Sequence, residues 1–136
     1  MKKIFVNGAF DVVHSGHLDL LDFAKGLGTH LLVAIDTDRR IEYNKGEGRP
    51  FNKLKNRKHL IGSLKPVTSV VTFDTDNDLL AILERYRPDI MVKGSDWRGK
   101  KVIGEEYCNK VVFYERTNGQ STTKTIENFI TRRQLL

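Results

Sequence analysis

Two histidines three residues apart, His14 and His17, with Gly16 between them, stand where a short apolar run (Ile4, Phe5, Val6) gives way to an amphipathic stretch. That places them at a strand-to-helix turn. At the start of a helix the two imidazoles share one face, beside backbone N–H groups that have no partner inside the helix. The helix dipole adds partial positive charge at the same point. Such an end attracts phosphate, and two imidazoles turn it into a candidate reaction centre. Gly8 and Gly16 let a ligand's phosphates approach the backbone. Asp11 either holds the turn through backbone hydrogen bonds or meets a ligand.

Three further segments carry polar groups of the right kind. Lys45-Gly46-Glu47-Gly48-Arg49-Pro50 sets cations beside glycines, which suits a flap closing over negative charge as well as a plain solvated loop. Arg57 follows, between the apolar positions Leu54 and Ile61, so it need not face open solvent, and a binding role is expected. Asp96 and Trp97 in Gly94-Ser95-Asp96-Trp97 offer a carboxylate to accept a ligand's hydrogen bond and an aromatic to cover a ring; an ordinary turn with one exposed tryptophan is the competing reading. Arg116-Thr117 followed by Ser121-Thr122-Thr123 sets hydroxyls and N–H groups at another helix start, a second anion site.

Several classes of function lack support. The chain has no G-x-x-x-x-G-K-[ST] loop and no G-x-G-x-x-G after a strand, so kinase-like and dinucleotide readings fail. No carboxylate pair is spaced for glycosidase chemistry, and no nucleophile–histidine–acid set is evident. The net charge of +6 fits a protein that binds phosphorylated ligands. Without an aromatic-interleaved basic stripe, nucleic acid is not the expected partner. The single cysteine, Cys108, forms no internal disulfide and sits in no zinc-like pattern, so a reducing, cytoplasmic setting is expected. No stretch approaches transmembrane length.

The elements that must position these residues alternate along all 136 residues, read as one domain. Strands are expected at Lys3–Asn7, Leu31–Ile35, Ser69–Phe73, Asp89–Lys93 and Lys110–Tyr114. Between them lie helices at Ser15–Leu27, one capped by Asn52 with Leu54, Ile61 and Leu64 inward, and one at Asn77–Tyr86. Glu105–Asn109 is one helical turn, Arg39–Pro50 is read as a loop, and Ser121 caps a last helix. Five strands with helical crossovers give an α/β fold, a doubly wound, five-stranded parallel sheet in the order 3-2-1-4-5. Ligands then bind beyond the carboxyl ends of the strands, where the winding reverses between the first and fourth. The His14–His17 stretch and Gly94–Trp97 leave those two strands.

With these segments in hand, the chain resembles the H-x-G-H nucleotidyltransferases. Asn7–Asp11, Lys45-Gly46 through Arg49-Pro50, Arg57, Phe73-Asp74-Thr75 and Pro88-Asp89 through Lys93-Gly94 are similar to the adenylyltransferase domains that make ADP-heptose from heptose 1-phosphate. Asp96-Trp97-Arg98-Gly99-Lys100 and Arg116-Thr117 with Ser121-Thr122-Thr123-Lys124 resemble the glycerol-3-phosphate cytidylyltransferases. The chain departs from the first group at Ser95 and Trp97, and from the second in its Lys-Gly…Arg-Pro loop. The resemblance implies attack by an acceptor phosphate on the α-phosphorus of a nucleoside triphosphate, with pyrophosphate leaving. It implies catalytic roles for His14, His17 and Lys45. It also implies nucleotide contacts at Gly8, Ala9, Phe10, Gly16, Asp96, Arg116, Thr117, Ser121 and Thr122, and acceptor contacts at Asp11, Arg49 and Arg57. Mg²⁺ is expected on the nucleotide phosphates rather than on protein ligands, and a homodimer is expected from relatives. ATP with heptose 1-phosphate is the leading substrate pair, and CTP with glycerol 3-phosphate the alternative. A non-catalytic nucleotide- or RNA-binding module is the reading from another class, since class I aminoacyl-tRNA synthetases carry a related His-x-Gly-His signature.

Overall fold

In a computed structural model that describes residues 1–115, five parallel strands form one sheet. They are β1 (Lys3–Gly8), β2 (His30–Asp36), β3 (Ser69–Phe73), β4 (Ile90–Gly94) and β5 (Lys110–Tyr114), in the order β3-β2-β1-β4-β5. The expected topology is observed. Strand side chains alternate between faces, and both faces are buried. Ile4, Val6, Leu31, Val33, Ile35 and Val92 pack on one side against Leu21 and Ala24 of α1 (Ser15–Gly26) and Ile61 of α3 (Leu54–Gly62). Phe5, Leu32, Ala34 and Met91 pack on the other against Leu79 and Leu83 of α4 (Asp76–Tyr86). This double covering is why the strands read as continuous apolar runs rather than as an alternation.

Local chemistry sets the helix ends. Thr75 and Asp78 form a reciprocal capping box at the start of α4, the Asp78 N–H donating to Thr75 Oγ1 at 3.1 Å and the Thr75 N–H to Asp78 Oδ2 at 3.2 Å. Arg87 ends that helix in the left-handed region (φ 51°) just before Pro88.

Two local expectations are corrected. Arg39–Pro50 is not all loop: α2 (Asp38–Lys45) occupies most of it, with the Thr37 hydroxyl accepting from the Arg40 N–H. Its one buried apolar residue is Ile41, too little to print a helical period on the sequence. Nor does Asn52 cap α3. Lys53 holds the cap position without a side-chain bond, and Asp38 Oδ1 accepts the Leu54 N–H at 2.9 Å from outside the helix. The helix expected from Ser121 lies outside the described residues.

Candidate active site

The β1–α1 connection is built around two left-over problems of helix formation: unpaired N–H groups and a sharp change of direction. Phe10 takes the change of direction with φ 50°, uncommon for a residue with a Cβ. Its buried ring folds back so closely on Gly8 that a Cβ there would sit 3.1 Å from Phe10 Cε2. The absence of a side chain at Gly8 thus makes room for Phe10, besides any room it leaves for a ligand.

The histidines solve the other problem. His14 is the N-cap of α1 and His17 its third residue, and the two form a capping box of imidazoles. His14 Nδ1 accepts from the Gly16 N–H at 3.0 Å, and His17 Nδ1 accepts from the His14 N–H at 3.2 Å. The spacing of three is that of a reciprocal cap. Accepting at Nδ1 puts each ring proton on Nε2. The rings stack at 4.0 Å between centroids with 28° between planes, and Phe10 backs His17 at 5.4 Å. The motif therefore holds two imidazoles in one tautomer and orientation through the backbone itself.

Asp11 lies immediately behind, with 1% of its surface exposed. Oδ1 accepts the Asn52 N–H at 2.8 Å, and Oδ2 accepts the Phe51 N–H at 2.9 Å and Arg49 Nε at 3.0 Å. Burial pushes its pKa up, but the hydrogen bonds from Asn52, Phe51 and Arg49 outweigh this and hold the carboxyl below the usual carboxylate range. Asp11 and Arg49 thus form an internal clasp that ties the segment after α2 to the β1–α1 loop, and Arg49 Nη2 remains buried without a hydrogen-bond partner.

Arg57, expected to meet an acceptor phosphate, is here enclosed by protein acceptors. It is 1% exposed. Nη1 donates to the carbonyls of Ala9 (2.9 Å) and Asp36 (2.7 Å), Nε to that of Asn52 (2.9 Å), and Nη2 to Asp38 Oδ1 (2.7 Å). One guanidinium gathers the ends of β1 and β2, the start of α2 and the entry to α3. Its bond to the Ala9 carbonyl ties this cation to the loop that carries the histidines.

The other expected residues spread along the same edge. Lys45 is the last residue of α2 and exposed, on a helix end rather than in the loop. Asp96 and Trp97 lie in a 3-10 turn (Ser95–Trp97) directly after β4, both exposed. Since Phe5 pairs with Met91, the register brings Gly8 and Gly94 to one level, and the β1 and β4 exits are neighbours at the reversal of winding. Arg116, Thr117, Ser121 and Thr122 lie outside the described residues.

Lys93, the end of a family-matching segment with no role assigned from the sequence, joins this edge. Burial lowers its ammonium from 10.5 to about 8, against the opposing pull of Asp36 and Asp96. Its Nζ lies 4.5 Å from the centroid of the Trp97 ring. Asp36 is pushed upward by burial in turn, with Arg40 Nε 3.3 Å away. A charged residue at the end of an apolar strand was the available signal, since a buried lysine without function is rare.

A family model described as cytidylyltransferase-like matches residues 5–128. The chain belongs to the cytidylyltransferase-like family. By family it is a nucleotidyltransferase. It is 40% identical over 123 residues to the bifunctional protein HldE of Campylobacter fetus subsp. fetus, covering 90% of this chain and 27% of that protein. It is 42% identical over 129 residues to the bifunctional protein HldE of Gluconobacter oxydans, covering 92% of this chain and 27% of that one. The chain thus spans about a quarter of the length of these curated relatives. Among solved structures, it is similar to the lipopolysaccharide core biosynthesis protein from Thermoplasma volcanium, with a TM-score of 0.74, 25% identity, and coverage of 87% of this chain and 99% of that one. No helix among the described residues is long and apolar enough to cross a membrane.

Proposed function

We propose that this domain transfers a nucleoside monophosphate from a nucleoside triphosphate to a sugar 1-phosphate, with ATP and heptose 1-phosphate as the pair. A phosphate oxygen of the acceptor attacks the α-phosphorus, the bond from the α-phosphorus to the bridging oxygen breaks, and pyrophosphate leaves with that electron pair. The attacking phosphate is already ionised, so no general base is needed. Catalysis then rests on alignment and on neutralising the charge that moves onto the leaving group. The reciprocal imidazole cap carries this reading, because it fixes two imidazoles at a helix start whose own dipole favours anions. In this account His14 and His17 meet the triphosphate and Lys45 closes over it from the end of α2. Asp96, with Arg116, Thr117, Ser121 and Thr122, holds the nucleoside. Arg57, Asp11 and Arg49 position the loop.

Mg²⁺ has no protein site in this proposal. The one carboxylate behind the histidines is consumed by Asn52, Phe51 and Arg49, and among the described residues no group of three His, Cys, Asp or Glu side chains is placed to hold a metal. The donor set does not fit a resident ion, so one would come with the triphosphate.

The segment Asp96–Lys100 favours a second reading, CTP with glycerol 3-phosphate. A pyrophosphate-release screen crossing ATP, CTP, GTP and UTP with heptose 1-phosphate, glycerol 3-phosphate and related phosphates tests both. Release confined to ATP with a sugar 1-phosphate is expected. Release confined to CTP with glycerol 3-phosphate transfers the assignment to the second reading, and no acceptor-dependent release leaves a binding module.

A further inference from the structure

On the same edge of the sheet, two strands away from the histidines, a cavity of about 610 Å³ opens between α2 and the β3–α4 turn. Its volume falls within the range of small-molecule sites. Its wall is rich in charge but balanced. Arg39 pairs with Asp74, and Arg40 pairs with Asp76 at 2.9 Å while its Nε reaches Asp36 at 3.3 Å. Two guanidiniums and two carboxylates of the lining cancel, so the cavity offers a dense set of donors and acceptors without a net attraction for phosphate. Asn44 and Asn77 add two side-chain amides, each both donor and acceptor. Tyr43 lines the same cavity with 88% of its surface exposed, a large ring held in water with no core role.

Balanced charge, paired donors and acceptors, and an aromatic face together describe one class of ligand. Neighbouring hydroxyls of a sugar bridge carboxylates, amides and guanidiniums, while the weakly positive C–H face of the ring lies on the negative face of an aromatic. A phosphate or a nucleoside triphosphate would instead select a site with net positive charge. Gly8 stands in register with Ile35, and Ile35 with Thr72. At one strand spacing per step, the exits of β1 and β3 are roughly 10 Å apart, so the cavity and the histidines share one edge of the sheet.

The geometry points to this cavity as the subsite for the sugar hydroxyls of the acceptor, with Tyr43 as its stacking platform and Asn44, Asp76 and Asn77 reading the hydroxyls. The inference rests on the sugar 1-phosphate reading above and adds the part of the molecule that would select the sugar. Arg40 then has a double place: it lines the cavity and, through Asp36, ties it to the sheet edge beside Lys93.

The test pairs binding with turnover. In amide NMR spectra of the ¹⁵N-labelled chain, heptose 1-phosphate is expected to shift the Asn44, Asp76 and Asn77 signals, and glycerol 3-phosphate to leave them in place. Tyr43→Ala, a change at an exposed position, is expected to weaken those shifts and to raise the KM for the sugar phosphate about tenfold, with a much smaller effect on the KM for the nucleotide. Shifts at these residues without pyrophosphate release uphold the subsite and overturn the reaction. Brisk release from heptose 1-phosphate without these shifts, or with the same KM in Tyr43→Ala and Asn77→Ala, overturns the subsite and leaves the reaction standing. Neither shifts nor release overturns both.

Discussion

Arg57→Met separates a positioning arginine from an acceptor ligand. The native guanidinium is buried and gives four hydrogen bonds of 2.7–2.9 Å, three to backbone carbonyls and one to Asp38. Methionine fills much of the volume but leaves the carbonyls of Ala9, Asp36 and Asn52 without that donor, each a loss on the order of 1–3 kcal/mol. These terms do not add, because the loop relaxes and water reaches Asp38. Removal of one partner from a buried charge pair supplies the better scale, about 3–5 kcal/mol. That is a large share of the stability of a typical domain, roughly 5–15 kcal/mol. Urea unfolding measures it as a lowered midpoint at an unchanged slope. Because Arg57 holds Ala9, and with it the loop leading to His14, kcat is expected to fall as well, with the KM values for both substrates disturbed together. A variant with the parent's midpoint and a raised KM for the acceptor alone would refute this reasoning and make Arg57 a ligand for the acceptor phosphate.

Three other substitutions follow from the same geometry. Lys93→Met is expected to stabilise the protein by about 2–3 kcal/mol at pH 7, since a lysine lowered from 10.5 to about 8 keeps its charge against burial. The unfolded chain binds the extra proton between those two values, so the parent gains stability as pH rises through that window. The advantage of the variant must therefore shrink from pH 8 towards pH 10, which denaturation at both values checks. Asp11→Asn turns an amide N–H₂ towards at least one donor and is expected to cost about 1–3 kcal/mol at pH 7. Because the folded pKa lies below the unfolded value near 3.9, the contribution of Asp11 is present above that value and lost as pH falls through the folded one. Unfolding at pH 3 should accordingly show a smaller gap between parent and variant than unfolding at pH 7. Gly104→Ala meets both a positive φ of 83° and Leu83 Cδ1, 2.1 Å from the new Cβ, and a lowered unfolding midpoint worth about 1–3 kcal/mol is expected.

The sheet order was legible because two covered faces force apolar strands and right-handed crossovers, and few topologies satisfy both. The two histidines were legible as a helix start, but not as each other's caps, since their spacing also fits two side chains on one face. Helix α2 was hidden because a surface helix with one inward residue, Ile41, leaves no period to read. Arg57 was correctly placed off open solvent by its position between Leu54 and Ile61, whereas its partners are carbonyls from distant segments that only the fold brings together. Lys93 was given no role because one cation at the end of a strand resembles a solvated strand end. What separates it from one is the burial of its ammonium, a property of tertiary packing.

The central claim is that the imidazole cap carries nucleotidyl transfer, and the rate of acceptor-dependent pyrophosphate release in His17→Ala tests it most directly. Loss of the cap alone is expected to lower stability by about 1 kcal/mol, which leaves the variant folded in the assay. With ATP and heptose 1-phosphate saturating, kcat is predicted to fall about 10²–10⁴-fold, the scale of removing one preorganised donor from developing charge. A folded His17→Ala protein that releases pyrophosphate at the parent's rate would contradict the account.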